Sequence, residues 1–296
     1  MRSPIIWFGG KGHFASTVIS LLPAHHTYVE VFAGGASVFF AKPPSPVEVL
    51  NDLDGALVEF YRVLRDRAMF EAFARRVSLT PYAKSEYLEC RETWETQDNP
   101  VERAARWFVA SRMAFAGKHI SQKSGWSYSV TESSRGMAQT ISRWLQTIDN
   151  LYEVHERLRQ AQVECQDWRK ILETYDRPDT CFYLDPPYVL STRRAGKFSH
   201  ELTDADHTEL VARCLVLRGK VVLSGYMHPI YAPLEDAGWE CRMFDVPCYA
   251  VGRMWESGMQ STGMTWAKNQ RRIECIWRNP AASQSPTMDL FAGGEE

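Results

Sequence analysis

The residues best suited to chemistry stand together in the stretch Asp185-Pro186-Pro187-Tyr188, directly after the apolar run 181–184. Neither proline has a backbone N–H, so the chain cannot continue here as an interior strand. A carboxylate, a rigid main chain and a flat ring suit a planar base that carries an exocyclic amine. Asp185 and the carbonyl of Pro186 can each accept one amine hydrogen, while Tyr188 stacks on the base. A plain turn that ends a strand is the alternative that this stretch alone leaves open.

A second candidate site lies where the strand-like run 28–32, ending at Phe32, meets the pair Gly34-Gly35. The pattern predicts a strand, a glycine turn and a helix, which is the layout of a nucleotide-type cofactor site. The next strand ends at Asp52, 18 positions after Gly34, a spacing that suits an acid binding ribose hydroxyls. Capping of the helix from Asp54 is the alternative role for this acid.

Two further segments place a polar side chain beside an aromatic one. Near the amino terminus, Gly9 and Gly10 separate Trp7-Phe8 from Lys11. The glycines allow close approach of a ligand, and Lys11 can donate to a carboxylate or a base edge, although a plain turn explains the segment equally well. Later, a strand ends at Asp167-Trp168, an acid and a ring suited to the amino edge and the face of an adenine.

The elements that must position these residues alternate along the chain. Helical spacing predicts a helix over 55–76 and a second helical run after Pro100. Strand-like runs occupy 161–165, 181–184, 220–226, 241–246 and 271–277, and we expect the last two to be antiparallel.

Composition limits the class of protein. The chain has 296 residues with 45% hydrophobic and 24% charged side chains, which is typical of a soluble globular protein. No run of about 18 apolar residues predicts a membrane span. Seven scattered cysteines without a C-x-x-C pair indicate reduced thiols in a cytosolic protein, and eight histidines without ligand spacing predict no metal site. With a net charge of −2, any binding to nucleic acid must come from a local patch.

Such a patch is predicted between residues 103 and 143, where seven basic side chains accompany one acid, Glu132. Its middle interleaves basic, aromatic, glycine and serine residues. This composition suits a loop or hairpin that enters a DNA groove, with phosphate contacts from its flanks. The candidate DNA-binding residues are Arg112, Lys118, Lys123 and Arg135. A solvated protein face is the equally weighted alternative.

Several motifs occur in the chain order of a known family. From the amino terminus they are Trp7-Phe-Gly-Gly-Lys11, Glu30-Val-Phe-Ala-Gly-Gly35, Asn51-Asp52, Asp185-Pro-Pro-Tyr188 and Ser224-Gly-Tyr226. Through these motifs the sequence resembles the DNA adenine-N6 methyltransferases of the Dam type, from Trp7 to about Asn279. The resemblance implies a cytoplasmic enzyme of a bacterium or phage that acts on double-stranded DNA.

The resemblance also implies roles for individual residues. Contacts to S-adenosylmethionine would come from Trp7, Gly10, Lys11, Phe32, Gly34, Gly35, Asp52 and Asp185, with Asp167 and Trp168 at its adenine. The group Asp185, Pro186 and Tyr188 would serve a flipped target adenine, whose amine attacks the sulfonium methyl directly and without a metal. Related cytosine-N4 enzymes generally carry Ser at the position of Asp185 and glutamine-N5 enzymes carry Asn, so the acid favours adenine.

The implied fold is α/β, a Rossmann-like methyltransferase sheet with an inserted, mainly helical target-recognition domain. We expect a discontinuous catalytic, S-adenosylmethionine-binding domain at 1–58 and 155–280, the inserted DNA target-recognition domain at 59–154 and a flexible tail at 281–296. Two other functions stay open. One is a non-catalytic DNA-binding protein with a methyltransferase fold, and the other is amino-methyl transfer to cytosine N4 or to RNA.

The tail carries one further candidate, the segment Thr287-Met288-Asp289-Leu290-Phe291. Three large apolar residues within four positions are unusual in a disordered tail. The pentapeptide is similar to the short motif by which bacterial replication and repair proteins bind the sliding clamp, although Thr287 replaces the usual Gln. A contact with the protein's own surface is the alternative.

Overall fold

A central β-sheet organises the chain, of which the computed structural model describes residues 1–115, 125–193, 199–247 and 271–287. The described part contains nine β-strands. They are β1 (Thr27–Glu30), β2 (Val47–Asn51), β3 (Ser133–Ser134), β4 (Met137–Ala138), β5 (Gln162–Glu164), β6 (Thr180–Leu184), β7 (Lys220–Tyr226), β8 (Glu240–Pro247) and β9 (Arg271–Arg278). Strands β3 and β4 form a separate two-stranded hairpin.

Seven strands form the main sheet in the order β5-β2-β1-β6-β7-β9-β8. The first five are mutually parallel, and β9 runs antiparallel to both β7 and β8. The last two strands pair in antiparallel fashion, as expected, and β8 itself runs in the direction of the parallel strands because β9 separates it from β7. The chain order reverses beside β1, because β2 lies on one side of it and β6 on the other. In open α/β sheets, ligands bind at the carboxyl ends of the strands at this switch point.

Twelve α-helices lie in the described part, consistent with the predicted α/β methyltransferase fold. They are α1 (Ala15–Ile19), α2 (Ser37–Ala41), α3 (Gly55–Arg65), α4 (Arg67–Ser78), α5 (Lys84–Thr93), α6 (Pro100–Met113), α7 (Gln139–Asp149), α8 (Leu151–Arg159), α9 (Trp168–Tyr175), α10 (Asp204–Val216), α11 (Ala232–Asp236) and α12 (Pro280–Ser283). The single helix predicted over 55–76 is two helices, because Asp66 leaves the helical conformation and caps α4 by accepting a hydrogen bond from the Met69 N–H. No helix of the described residues is long and apolar enough to cross a membrane.

The sheet buries side chains on both faces, as parallel sheets do. Successive residues of each strand alternate between two cores, so that Tyr28 and Tyr183 join one cluster while Val29 and Phe182 join the other. The first cluster also contains aromatic side chains of the predicted insert, such as Phe60 and Trp107. The boundaries predicted for the insert, at 58/59 and 154/155, fall inside α3 and α8. The helical insert thus continues the core of the sheet domain.

The predicted flexible tail is ordered over its first part. Asn279 caps α12 by accepting from the Ala282 N–H, and the Ala24 N–H donates to the Pro286 carbonyl at 2.8 Å. Thr287 forms a β-bridge with Pro23. The prediction of a flexible tail from residue 281 is therefore wrong for 281–287, because the backbone of Pro286 and Thr287 pairs with residues 23 and 24, which precede β1. Residues 288–296 lie outside the described range, so the clamp-binding segment stays a prediction.

A buried ionic cluster ties helix α8 to the sheet. The Glu48 carboxylate of β2 is fully buried and accepts hydrogen bonds from Arg157 of α8 and from Lys42. The Arg157 guanidinium also donates to the Phe39 carbonyl at 3.2 Å. Removing one partner of such a cluster leaves the remaining buried charges without a counter-charge.

We expect Glu48→Ala to lower the free energy of unfolding by about 3–5 kcal/mol, because Lys42 and Arg157 lose their counter-charge. Urea denaturation followed by circular dichroism measures this change. The matched control is Glu71→Ala, which removes an exposed pair with Arg67 and should cost less than about 1 kcal/mol. Equal losses in the two variants would contradict the role of the buried cluster.

Candidate functional site

The carboxylate of Asp185 stands immediately after β6, at the switch point of the sheet. Beside it β1 ends, and the Val31 N–H still donates to the Tyr183 carbonyl at 3.2 Å. The Asp185 Oδ1 atom pairs with the Lys11 Nζ atom at 3.0 Å. Both side chains are largely removed from solvent. The structure therefore brings together the two most polar residues of the predicted catalytic and cofactor segments.

Lys11 contacts two further oxygen atoms. Its Nζ donates to the Tyr188 hydroxyl at 2.6 Å and lies 3.7 Å from the Glu274 Oε2 atom. The Tyr188 hydroxyl in turn donates to that same Glu274 oxygen at 2.7 Å. One ammonium thus lies among two carboxylates and a phenol.

Glu274 was not identified by sequence reasoning. It lies in β9 with only 9% of its surface exposed. An acid inside the otherwise apolar run 273–277 was the signal that could have found it, since buried charges are rare unless they are paired.

The electrostatics of this group follow from burial and mutual attraction. Burial raises the pKa of the Asp185 carboxyl, and the nearby Lys11 cation only partly opposes this effect. Burial alone lowers the pKa of Lys11, but the attraction of Asp185 and Glu274 outweighs it and the pKa is raised. Lys11 therefore stays protonated, while Asp185 takes up a proton more readily than an exposed aspartate.

The glycine turn after β1 is held by side chains from neighbouring elements. Gly34 has a φ of +46°, in the left-handed region that favours glycine. Its N–H donates to the Asp52 Oδ2 atom at 2.8 Å, and its carbonyl accepts from the Tyr61 hydroxyl at 2.7 Å. The other Asp52 oxygen accepts from the Asp54 N–H at 3.0 Å. Asp54 itself caps α3, so the alternative capping role considered for Asp52 belongs to its neighbour.

The predicted cofactor residues of the amino terminus meet this turn. A Cβ atom added at Gly34 would lie 2.6 Å from the Trp7 Nε1 atom, and one at Gly35 would lie 2.9 Å from the Trp7 Cβ atom. The Gly10 N–H donates to the Trp7 carbonyl at 3.1 Å. The residues that meet at this turn are Trp7, Gly10, Gly34, Gly35 and Asp52, and the Trp7 side chain covers the two buried glycines. Burial raises the pKa of Asp52, whereas its two backbone hydrogen bonds lower it.

Three other predicted residues differ in how the structure places them. Phe32 is partly buried and packs against the core beneath β1. Trp168 is 1% exposed and belongs to the same core, with the Arg169 guanidinium 4.3 Å from its ring centroid. Its predicted stacking on a cofactor adenine is therefore wrong, because the apolar stripe of α9 turns the ring inward. Asp167 is exposed and caps α9 by accepting from the Arg169 N–H.

Around Tyr188, the rings are arranged face to edge. Its centroid lies 4.6 Å from that of Tyr226, with an interplanar angle of 74°, and Lys11 Nζ lies 4.5 Å from the Tyr188 centroid. The neighbouring motif residue Ser224 is buried and hydrogen-bonds the Tyr183 hydroxyl at 3.1 Å. The residues of the Ser224-Gly-Tyr226 motif thus border the Asp185 loop.

Among the predicted DNA-binding residues, Arg112 has an internal role. It is largely buried and donates to Thr147 Oγ1 at 2.5 Å and to the Arg143 carbonyl, which ties α6 to α7. Burial lowers its pKa to about 10. We correct its assignment to a structural one. Arg135 is exposed on the β3–β4 turn, where its guanidinium donates to Ser142, and Lys118 and Lys123 lie outside the described residues.

Comparisons with known proteins agree with this geometry. A family model described as D12 class N6 adenine-specific DNA methyltransferase matches residues 7–232. The chain belongs to this family. The expected resemblance to DNA adenine-N6 methyltransferases is thereby confirmed at the level of the family.

Individual relatives of this family member are distant. It is 26% identical over 246 residues to the type II methyltransferase M.CviBI of Paramecium bursaria Chlorella virus NC1A, covering 78% of this chain and 90% of that protein. It is 26% identical over 189 residues to the DNA N-6-adenine-methyltransferase of Escherichia phage P1, covering 63% of this chain but only 24% of that protein. It is 24% identical over 207 residues to the type II methyltransferase M1.LlaDCHI of Lactococcus lactis subsp. cremoris, covering 66% and 69% respectively.

For this D12 family member we expect Gly34→Ala to be strongly destabilising, because the new methyl group meets the Trp7 ring and the left-handed backbone is strained. Replacing Trp7 by Ala in the same chain should recover part of the lost stability. Gly55→Ala is the matched control, since a Cβ there meets nothing within 4 Å. Thermal unfolding of the four variants measures the coupling, and strictly additive losses for Gly34→Ala and Trp7→Ala would contradict the contact.

Proposed function

We propose that this chain transfers a methyl group from S-adenosylmethionine to N6 of an adenine in double-stranded DNA. The observation that carries the proposal is the Asp185 carboxylate at the switch point, paired with Lys11 and next to the glycine turn. Such a carboxylate can accept hydrogen bonds from an exocyclic amine. The family supports a methyl donor and a DNA substrate in general terms, and the particular donor and the residue roles are our proposal.

The residues around the turn fit the proposed donor. Asp52 uses one lone pair of each oxygen for the backbone, so each oxygen keeps capacity for a ribose hydroxyl. Trp7 offers an aromatic surface above the glycines, and the N–H of Gly34 is already fixed by Asp52. When bound, S-adenosylmethionine would supply an electrophilic methyl group. Phe32, Gly34 and Gly35 would then line its amino-acid part, and Gly10 would let the backbone approach closely.

The residues of this chain orient the target amine. Asp185 and the Pro186 carbonyl each accept a hydrogen bond from one of its two N–H groups, which favours a pyramidal nitrogen whose lone pair is free for attack. As the nitrogen gains its bond to the methyl carbon, the carbon–sulfur bond of the donor would break with its electron pair left on sulfur, and the nitrogen must afterwards lose a proton. Because burial raises the pKa of Asp185, this carboxylate is suited to accept that proton. Orientation of the bound reactants supplies much of the rate gain.

Tyr188 can act on the target base only where its ring remains accessible. In this structure its hydroxyl is fixed by Lys11 and Glu274, and Tyr226 lies at its side. Tyr188 is only 8% exposed and the Lys11 ammonium lies over its ring, so an extruded base can stack on this ring only after Lys11 has moved aside. Extrusion from the duplex costs a few kcal/mol in lost pairing and stacking.

We expect Asp185→Ala to reduce methyl transfer by at least about 100-fold, because the target amine loses its carboxylate acceptor. Incorporation of tritium from labelled donor into duplex DNA measures the loss. Asp98→Ala, a change at an exposed aspartate, is the control and should retain full activity. DNA sequencing that detects modified bases then distinguishes adenine N6 from cytosine N4. Full transfer by the Asp185 variant, or methylation of cytosine alone, would refute the proposal.

We further propose that the basic segment 103–143 contacts DNA phosphates, with Arg135, Lys118 and Lys123 as its candidates. Arg135 supports this view because the left-handed pair Arg135-Gly136 places it, exposed, at the tip of the β3–β4 turn. The segment carries seven basic side chains against one acid. Phosphate contacts of this kind are lost progressively as salt is added.

Replacing Lys118 and Lys123 together by Ala should weaken DNA binding and reduce the slope of log affinity against log salt by about 2, or about 0.9 per phosphate contact. Fluorescence anisotropy at several salt concentrations measures both quantities. Replacing the exposed Lys170 of α9 and Arg177, which follows α9, by Ala removes the same charge outside the basic segment and should leave the slope unchanged. If both double variants behave alike, the segment is only a solvated face.

A further inference from the structure

Glu274 lies beyond residues 7–232, the part of the chain that the family model matches. It stands in the middle of β9, opposite Phe244 of β8 and opposite Tyr226, the last residue of β7. Its carboxylate is buried at 9% exposure and accepts the Tyr188 hydroxyl at 2.7 Å. A buried acid in a strand is costly unless nearby groups compensate its charge, and here Lys11 lies 3.7 Å away.

The geometry gives Lys11 two anionic neighbours in this state. Its Nζ lies 3.0 Å from Asp185 and 3.7 Å from Glu274, with the Tyr188 oxygen at 2.6 Å between them. An ammonium has three N–H donors and no acceptor. The contact with Asp185 is an ion pair, because the buried Oδ1 atom accepts no hydrogen bond within the described residues, and the attraction of Lys11 for that oxygen competes with a substrate amine. A second anion beside Lys11 therefore offers the cation another partner.

We propose that Glu274 is a positioning residue that pairs with the Lys11 ammonium when Asp185 accepts a hydrogen bond from the target amine. This inference rests on the proposed function. The Tyr188 hydroxyl contacts both Lys11 and Glu274, so Lys11 can turn toward Glu274 while it keeps its hydrogen bond to Tyr188. Glu274 touches neither donor nor base in this scheme. It acts through Lys11 and Tyr188.

The charge of Glu274 matters as well as its shape. Within the described residues, several titratable groups interact electrostatically with Asp185: Lys11, Glu30, Tyr183, Tyr188, Tyr231 and Glu274. Tyr226 faces Lys11 and Glu274 instead, with Arg272 5.3 Å from its ring centroid. Only Lys11 among these contacts Asp185 as a cation. Without Glu274, that cation would bind Asp185 alone, which would lower the pKa of Asp185 and tighten the pair that the amine must displace.

The variant Glu274→Gln keeps an oxygen that accepts the Tyr188 hydroxyl and removes only the negative charge. We expect kcat for methyl transfer to fall about 10- to 100-fold, with little change in KM for S-adenosylmethionine. The acid limb of the kcat/KM profile should move to lower pH, because Asp185 would protonate less readily. In a Lys11→Met chain, the same substitution should cost no further activity, since Glu274 then has no cation to receive.

Glu240→Gln is the control. It removes a carboxylate on β8 that pairs with Arg278, the last residue of β9. The acid limb of the kcat/KM profile of this variant should not move, and thermal unfolding of all variants shows whether a loss of activity is a loss of stability. Unchanged kcat in Glu274→Gln would overturn the inference. A lower kcat in Glu274→Gln without a shift of the acid limb would also overturn it. The same holds if Glu274→Gln lowers kcat as much in the Lys11→Met chain as in the unaltered chain. If the unaltered chain methylates no adenine, the proposed function fails and the inference falls with it.

Discussion

A buried carboxylate at the end of a central strand requires a cation, and in this chain the cation arrives from the amino-terminal segment. The ion pair between Lys11 and Asp185 at 3.0 Å spans most of the sequence and fixes how the first residues cross the sheet edge. Removing such a partner leaves an uncompensated charge, which costs several kcal/mol. The position of Trp7 against Gly34 follows from the same crossing. The Asp185 carboxylate and the glycine turn are therefore parts of one packed unit.

Hydrogen bonds between strand ends keep that unit rigid. The buried Asn51 side chain donates to the carbonyls of Val31 and Gln166 and accepts from the Gln166 N–H, all near 3 Å. One amide thereby joins the ends of β1, β2 and β5. Asp52, the next residue, holds the Gly34 N–H. Buried polar groups that are fully paired specify a single arrangement, so the turn is formed before any ligand binds.

Sequence reasoning recovered the features that local chemistry determines. The strand ending at Asp185, the glycine turn and the acid at Asp52 were all readable because prolines, glycines and alternating apolar residues leave short-range patterns. The break at Asp66 was missed because the apolar spacing of α3 and α4 continues across it. The ordered segment 281–287 was missed because its backbone pairs with residues near Pro23, far away in sequence.

Side-chain direction was the harder problem. Trp168 and Arg112 have types that suit ligands, yet their helices turn both side chains inward, toward a core and toward α7. Composition reports that an arginine is present in a basic segment, but only the packing of α6 on α7 decides whether its charge reaches solvent. Glu274 shows the opposite error, a site residue that was missed. It reaches the site because β9 lies beside β7 in the sheet, and no local sequence pattern reveals that strand order.

Under the proposed function, the balance of charge in the site explains why a lysine and a second acid accompany Asp185. A buried Asp185 without a cation would bind a proton too readily to accept an amine hydrogen. If a cation paired with Asp185 alone, the carboxylate oxygens would be engaged by that cation and would not be available to the amine. Sharing Lys11 between Asp185 and Glu274 avoids both extremes, because the cation stabilises the ionised form without fully engaging it. The spacing of 3.0 Å to one acid and 3.7 Å to the other fits such a shared cation.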